Sequence, residues 1–279
     1  MNRFLHSQHS ILVPAPGAIL RASPDLPFIE LHPGQLPGLP QRHPYVLARF
    51  QRAMFTSSLY AQHGIAMPDA IRTSGPGRQA EFLAGRMCAQ AVLQVHGIDA
   101  WLVGIGAHRQ PLWPENILGS ITHSHGYAAA AACPGAGLFG IGIDIEAIVG
   151  AAAREALLQV VVSQREIACL RQAAGALDFD TLLTLVFSAK ESFFKAAFAQ
   201  LGRYIEFDVL ELFHVDLVAS VLSFRCVQTL SAHLAQGQIC HAHYLFLDGA
   251  VLTAVVLAHV RSGPAVRNSS DLAEKNAVK

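Results

Sequence analysis

Gly140-Ile-Gly-Ile-Asp-Ile-Glu146 decides how this chain is to be folded on paper. Its residues alternate with period two, so Phe139, Ile141, Ile143 and Ile145 share one face of a strand, while Gly140, Gly142, Asp144 and Glu146 share the other. Two acids therefore point the same way, beside glycines that let a ligand or another backbone come close. About forty residues later, Phe187-Ser-Ala-Lys-Glu-Ser-Phe-Phe-Lys-Ala196 has helical spacing. It places Phe187, Glu191, Phe194 and Phe198 on one stripe, with Lys195 one turn beyond Glu191 and Lys190 at the stripe's edge. An unpaired carboxylate in apolar surroundings is costly, and three together repel one another unless a cation compensates. Mg2+ prefers such hard oxygens, which makes Asp144, Glu146 and Glu191 candidate metal ligands. The bland alternatives are a half-solvated strand for the first motif and a surface i,i+4 salt bridge for Glu191 and Lys195, worth only about 0.3–0.5 kcal/mol.

Outward from these motifs, Ser120-Ile-Thr-His-Ser-His-Gly-Tyr127 is expected to be a strand that turns at Gly126 and returns through Ala128 to Cys133. Helical patterns cover Ala80 to Val95, Ala151 to Val161, Gln164 to Ala173 and Thr181 to Gln200, and a further helix is expected over Tyr45 to Tyr60. The end is β-rich, with a hairpin from Tyr244 to Leu257 turning at Asp248-Gly249. Eight prolines between Pro14 and Pro44 predict an irregular N-terminal segment with edge strands near Ile11–Val13 and Phe28–Leu31. The fold class expected is α+β, in two similar halves, 1–137 and 138–262, the second carrying both acidic motifs. A polar, disordered tail is expected over 263–279.

With 52% hydrophobic and 14% charged residues, the 279-residue chain can bury one large core or two medium ones. Lys+Arg and Asp+Glu number 20 each, which gives no support for nucleic-acid binding, so any anion site must be local. The short apolar stretch Ile11-Leu-Val13 is too brief for a signal peptide, and no run reaches the length of a membrane span. Five isolated cysteines fit free buried thiols in a reducing cytoplasm.

Two further stretches can be read as phosphate sites, and a third is a rigid loop. Ser120, Thr122 and Ser124 alternate with Ile121 and His123 towards a sheet end. Arg78, Glu81 and Arg86 share the face of a helix start, either a solvated entry turn or an anion clamp. Arg109-Gln-Pro-Leu-Trp-Pro114 is a rigid loop for packing or for a flat ring. Together with the acidic motifs, these blocks resemble the 4′-phosphopantetheinyl transferase superfamily, enterobactin- and surfactin-type branch. Gly142-Ile-Asp-Ile-Glu146 is similar to its Gly-x-Asp-x-Glu motif and Lys190-Glu-Ser-Phe-Phe-Lys195 to its Lys-Glu-x-x-x-Lys motif. Phe187 and Ser192 stand where many members have Trp and Ala.

The resemblance implies two halves related by a pseudo-two-fold, with coenzyme A between them and its phosphopantetheine arm passed to a serine of an acyl or peptidyl carrier protein. It implies Mg2+ on Asp144, Glu146 and Glu191, with Glu191 or a metal-bound water taking the serine proton. Lys195, and with it Lys190, would face phosphate oxygens. Thr122 and His123 would contact the coenzyme A phosphates, Arg78 and Arg86 the 3′-phosphate, and Arg109 to Pro111 the adenine. A cytoplasmic monomer without nucleic-acid or membrane partners is expected. Replacing Asp144 or Glu191 by Ala is expected to remove turnover and leave the fold intact, since it relieves repulsion. Two other readings compete: a Mg2+-dependent phosphohydrolase of another diphosphate, and a non-catalytic protein binding coenzyme A or a carrier.

Overall fold

The computed structural model describes residues 28–37 and 43–259. In chain order they form β1 (Ile29–Gln35), β2 (Pro44–Phe50), short helices α1 (Ser58–Gln62) and α2 (Asp69–Arg72), the long α3 (Pro76–Val95), and a small hairpin of β3 (Gly104–Ile105) and β4 (Pro111–Leu112). Then come β5 (Ile117–Ser124), β6 (Tyr127–Pro134), β7 (Leu138–Ala147), α4 (Ala151–Val160), α5 (Gln164–Ala173) and α6 (Phe179–Leu201). The chain closes with β8 (Leu210–Asp216), β9 (Val221–Cys226), β10 (Ile239–Leu247) and β11 (Ala250–Ala258). The two large sheets are antiparallel, ordered β1-β2-β6-β5 and β7-β11-β10-β9-β8. The expected mixture of helix and sheet is what the chain builds. No helix among the described residues is long and apolar enough to cross a membrane.

Alternation explains the layering. Val46, Ala48, Ala128 and Ala130 pack under Leu83, Ala84 and Val92 of α3, while the intervening Tyr45, Leu47, Tyr127 and Ala129 meet Ile141, Ile143 and Ile145 of the second sheet. The other face of that sheet, with Val251 and Val255, carries α6 through Val186, Ala189 and Phe193. Helix, sheet, sheet and helix thus stack in four layers. Alanines on β6 keep the sheet thin, so α3 and the second sheet approach from opposite sides.

The helix expected over Tyr45–Tyr60 is not formed. Pro44–Phe50 is a strand paired on both edges, with β1 and β6, and nearly every residue in it is buried. A strand covered on both faces loses its polar alternation and looks like one turn after another of a buried helix, which is why the pattern misled. Ile11–Val13 and the tail 263–279 lie outside the described residues. All five cysteines are free, and four are buried.

Helix α6 starts and stops where its sequence dictates. Asp178 caps it, its carboxylate accepting from the Thr181 N–H at 2.9 Å and from the Thr181 hydroxyl at 2.7 Å. Gly202 ends it at φ 60°, a conformation costly for a side chain with a Cβ. In between, the helix lies directly on β7. A Cβ at Gly142 would stand 1.9 Å from the Ser192 carbonyl oxygen, and one at Gly140 would stand 2.0 Å from that of Ala196. The glycines of the acidic strand therefore admit the backbone of α6, which carries the second motif.

Candidate active site

The two sheets meet where β5 runs beside β7, and polar side chains stitch the seam. Ser120 Oγ accepts from the Ile143 N–H at 3.1 Å, and Thr122 Oγ1 accepts from the Ile145 N–H at 3.1 Å. Thr122 also donates to Asp144 Oδ1 at 3.2 Å. Asp144 is only 3% exposed, yet fully partnered. Lys195 Nζ reaches its Oδ1 at 2.6 Å, and Ser188 donates to Oδ2 at 2.9 Å. Behind it Ser188, Thr253 and Ser192 form a buried hydroxyl chain, with contacts of 2.9 and 2.7 Å. The sequence singles out neither Ser188 nor Thr253, and Ser192 only as a departure from the family's pattern. Their signal is slight: Ser188 and Ser192 are four apart on one helix, and only register places Thr253 opposite Asp144.

Burial raises the Glu146 carboxyl to about 7, with the neighbouring Asp144 and Glu191 adding to the shift and Lys195 opposing it. Burial also raises Glu191, again with Asp144 adding and Lys195 opposing. The three acids share one electrostatic field around a single lysine. Among the described residues no three such side chains are already gathered as a metal cage, because Asp144 is drawn onto Lys195, Thr122 and Ser188. The donor chemistry nevertheless suits Mg2+: hard oxygens, more negative charge than the one lysine offsets, and two half-buried carboxyls raised above their usual range by burial and by the neighbouring acids.

Beside this centre runs a cleft. A cavity of 390 Å3 is lined by Arg78, Glu81, Phe82, Arg86, Arg109 and His123 among others. A second, of 200 Å3, shares Arg109, Pro111 and Ile121 with it and is lined further by Phe194, Lys195, Phe198 and Tyr204. Arg86 lies over the Phe82 ring at 4.4 Å and donates to the Gly104 carbonyl at 3.1 Å, leaving its buried Nε without a partner among the described residues. Burial and then Arg78 lower its pKa to about 10. Arg109 sits at φ 65° in the tight β3–β4 turn, closed by Gly106 N–H to Gln110 O at 2.8 Å. The structure thus brings Arg78, Arg86, Arg109, Pro111 and His123 to one cleft and Lys195 to its far end.

Two expectations need correction. Lys190 does not face phosphate: at 3% exposure it pairs with Glu166 at 2.8 Å and donates to the Val161 and Phe207 carbonyls at 2.7 and 3.1 Å, so its three N–H groups are spent. Thr122 is buried in the seam, its hydroxyl committed to Asp144 and Ile145; of the β5 pair, His123 is the one that lines the cleft. The stripe of Phe187, Glu191, Phe194 and Phe198 is the half-open side of α6 and not its core face, which is Val186, Ala189, Phe193 and Ala197. Phe194 stacks on Tyr204 with ring centroids 5.4 Å apart and makes an aromatic wall of the cleft.

Known proteins resemble this chain along most of its length. Residues 67–133 match the model of the 4′-phosphopantetheinyl transferase N-terminal domain, and residues 140–253 match that of the 4′-phosphopantetheinyl transferase superfamily. Enterobactin synthase component D of Salmonella typhi is 32% identical over 229 residues, which cover 80% of this chain and 93% of that protein. The 4′-phosphopantetheinyl transferase Npt of Nocardia iowensis is 34% identical over 138 residues, 50% of this chain and 60% of its own. The 4′-phosphopantetheinyl transferase Svp of Streptomyces mobaraensis is 36% identical over 140 residues, 49% and 55%.

Proposed function

This chain belongs to the 4′-phosphopantetheinyl transferase superfamily, and from that premise we propose that its cleft holds coenzyme A and passes the phosphopantetheine arm to a serine of an apo acyl or peptidyl carrier protein. Adenosine 3′,5′-bisphosphate is the product released. The observation that carries the reading is continuity: Arg109, Pro111 and Ile121 line both the cavity of Arg78, Arg86 and His123 and the one that reaches Lys195. One end offers cations to a phosphomonoester, and the other brings a lysine beside clustered carboxylates. The likeness to a protein named enterobactin synthase component D supports a carrier of siderophore or other secondary-metabolite assembly.

In this mechanism Arg78 and Arg86 hold the phosphate of the adenosine moiety, His123 lines the same cleft and orients Arg78, and the turn from Arg109 to Pro111 flanks the adenine. Lys195 spends two N–H groups on Asp144 and the Ile143 carbonyl, at 2.6 and 3.2 Å, and turns the third to a pyrophosphate oxygen. Asp144, Glu146 and Glu191 would hold Mg2+, whose charge offsets that of the pyrophosphate. Glu191, its carboxyl raised by burial, takes the proton of the carrier serine. The serine oxygen bonds to the phosphorus bearing pantetheine as the bond from that phosphorus to the bridging oxygen of the adenosine bisphosphate breaks.

The same reading treats 1–137 and 138–262 as halves related by an approximate two-fold, supported by the placing of α3 and α6 on their respective sheets. It takes the working form as a cytoplasmic monomer, in keeping with five free thiols. It assigns no nucleic-acid or membrane partner, the 20 basic and 20 acidic residues leaving no net charge for a polyanionic surface. The test is to incubate the protein with coenzyme A, Mg2+ and apo carrier proteins and weigh the carriers intact. A gain of roughly 340 Da, the mass of the arm, is expected. Phosphate release without any labelled carrier would turn the reading towards a hydrolase.

A further inference from the structure

One carboxylate interrupts the cationic end of the cleft. Glu81, on α3, is the sole acid among the described residues lining the larger cavity, against Arg78, Arg86 and Arg109. Its side chain is only 16% exposed, and it serves three elements at once. Oε1 accepts from Arg52, in the 3-10 turn that follows β2. Oε2 lies 3.5 Å from Arg78 and 3.5 Å from Nδ1 of His123 on β5. Arg78 in turn donates to His123 Nε2. An arginine has no lone pair to offer, so Nε2 must accept and the ring proton must sit on Nδ1, facing Glu81. Burial, then Arg78, lower the pKa of this imidazole, in keeping with a neutral ring.

A negative charge in an anion site weakens it unless the charge does something that outweighs the repulsion. Here it gathers two long, entropically loose arginines and one imidazole into a fixed constellation, so their freedom is not lost anew when an anion binds. We infer that Glu81 is a positioning residue: it aims Arg52 and Arg78 and sets the His123 tautomer, and by doing so makes the cleft select a ligand with a terminal phosphomonoester over one with a hydroxyl there. A phosphomonoester has two charges and several oxygens to divide among the arginine N–H groups, and a hydroxyl leaves them unmatched. This rests on the assignment of the cleft to coenzyme A. The nucleotide that carries the test is its adenosine bisphosphate portion.

The experiment measures Kd for adenosine 3′,5′-bisphosphate and for adenosine 5′-monophosphate by calorimetry, in the native protein and in Glu81→Gln and Glu81→Ala, with thermal melts to establish folding. The native protein should prefer the bisphosphate at least tenfold. Glu81→Ala should lose most of that preference by weakening bisphosphate binding about tenfold, with monophosphate binding changed less than threefold. Glu81→Gln, whose amide oxygen still accepts from arginine, should fall between. Equal weakening of both nucleotides would make Glu81 a merely structural residue, and an unchanged or increased preference in Glu81→Ala would make it a simple repulsive charge; either overturns the inference. In the transfer assay the same variant should raise KM for coenzyme A about tenfold more than for 3′-dephospho-coenzyme A, with kcat held within twofold. A native protein that shows the nucleotide preference but labels no carrier would sink the proposed transfer and leave the role of Glu81 standing.

Discussion

Asp144 and Glu191 are both acids of the centre, and their surroundings set different costs for removing them. Asp144 is buried beneath α6 and neutralises Lys195, so Asp144→Ala strands a cation and leaves the Thr122 hydroxyl proton without its acceptor, while Ser188 keeps its contact with Thr253. That corrects the expectation of an intact fold. Breaking such a pair from one side typically costs ~3–5 kcal/mol, reduced here because the Lys195 side chain is 28% exposed. Urea unfolding should show a loss of about 2 kcal/mol or more for Asp144→Ala and little change for half-buried Glu191→Ala, while both lose about two orders of magnitude in carrier labelling. Near-native labelling by Glu191→Ala would end its assignment as base and ligand. His123 supplies a pH dependence. Its pKa lies at about 4, below the usual 6.5, so between those values the unfolded chain binds a proton that the folded one refuses. Its contribution to stability is therefore whole above pH 6.5 and is lost as pH falls towards 4. His123→Gln should flatten that decline when unfolding free energies at pH 7 and pH 5 are compared.

At the scale of elements, the close approach of α6 to β7 holds the two acidic motifs together. Gly142→Ala would drive a methyl group into the Ser192 carbonyl and the Ala196 amide, at 1.9 and 2.6 Å, both of them helix backbone. No side chain can swing aside, so the helix must lift. A loss of about 3 kcal/mol is expected in denaturant unfolding, at the upper end of what overpacking causes, together with a fall in labelling as Lys195 withdraws from Asp144. Wild-type stability in Gly142→Ala would mean that α6 does not rest on the strand as described. The helix is held from its other side by Lys190, whose pairing with Glu166 ties α6 to the capping box of α5, where Glu166 also accepts from the Ser163 N–H at 2.8 Å. Sequence spacing set Lys190 next to Glu191. The turn angle of a helix, about 100° per residue, aims the two apart.

For the whole molecule, the question is what joins two sheets into one site. Ser120 and Thr122 use their hydroxyls where a backbone ladder would otherwise run, and they set His123, which lines the cleft from the first sheet, close to the buried Asp144 of the second. Replacing the pair by Ala and Val leaves the Ile143 and Ile145 amides buried without those acceptors, at about 1–3 kcal/mol each. The double variant should unfold at lower urea and lose labelling more steeply than either single one. Additive, small effects would show that the seam is held by apolar packing alone.

Period and spacing by themselves determined the acidic strand, the helix of the second motif and the hairpins turning at Gly126 and at Asp248-Gly249, because each depends on neighbours at most a few turns away, while the family was legible only through the resemblance of the motif blocks to a known superfamily. They could not reveal that Pro44–Phe50 is a strand, since burial on both faces erased its alternation. Nor could they show that Thr122 belongs to the seam, that Lys190 is spent on Glu166, or that Glu81 gathers Arg52, Arg78 and His123. Apart from Arg78 and Glu81, which are three residues apart on one helix, these partners stand tens of residues apart in the chain, and which atom spends its hydrogen bonds on which is decided only when the sheets and helices close on one another.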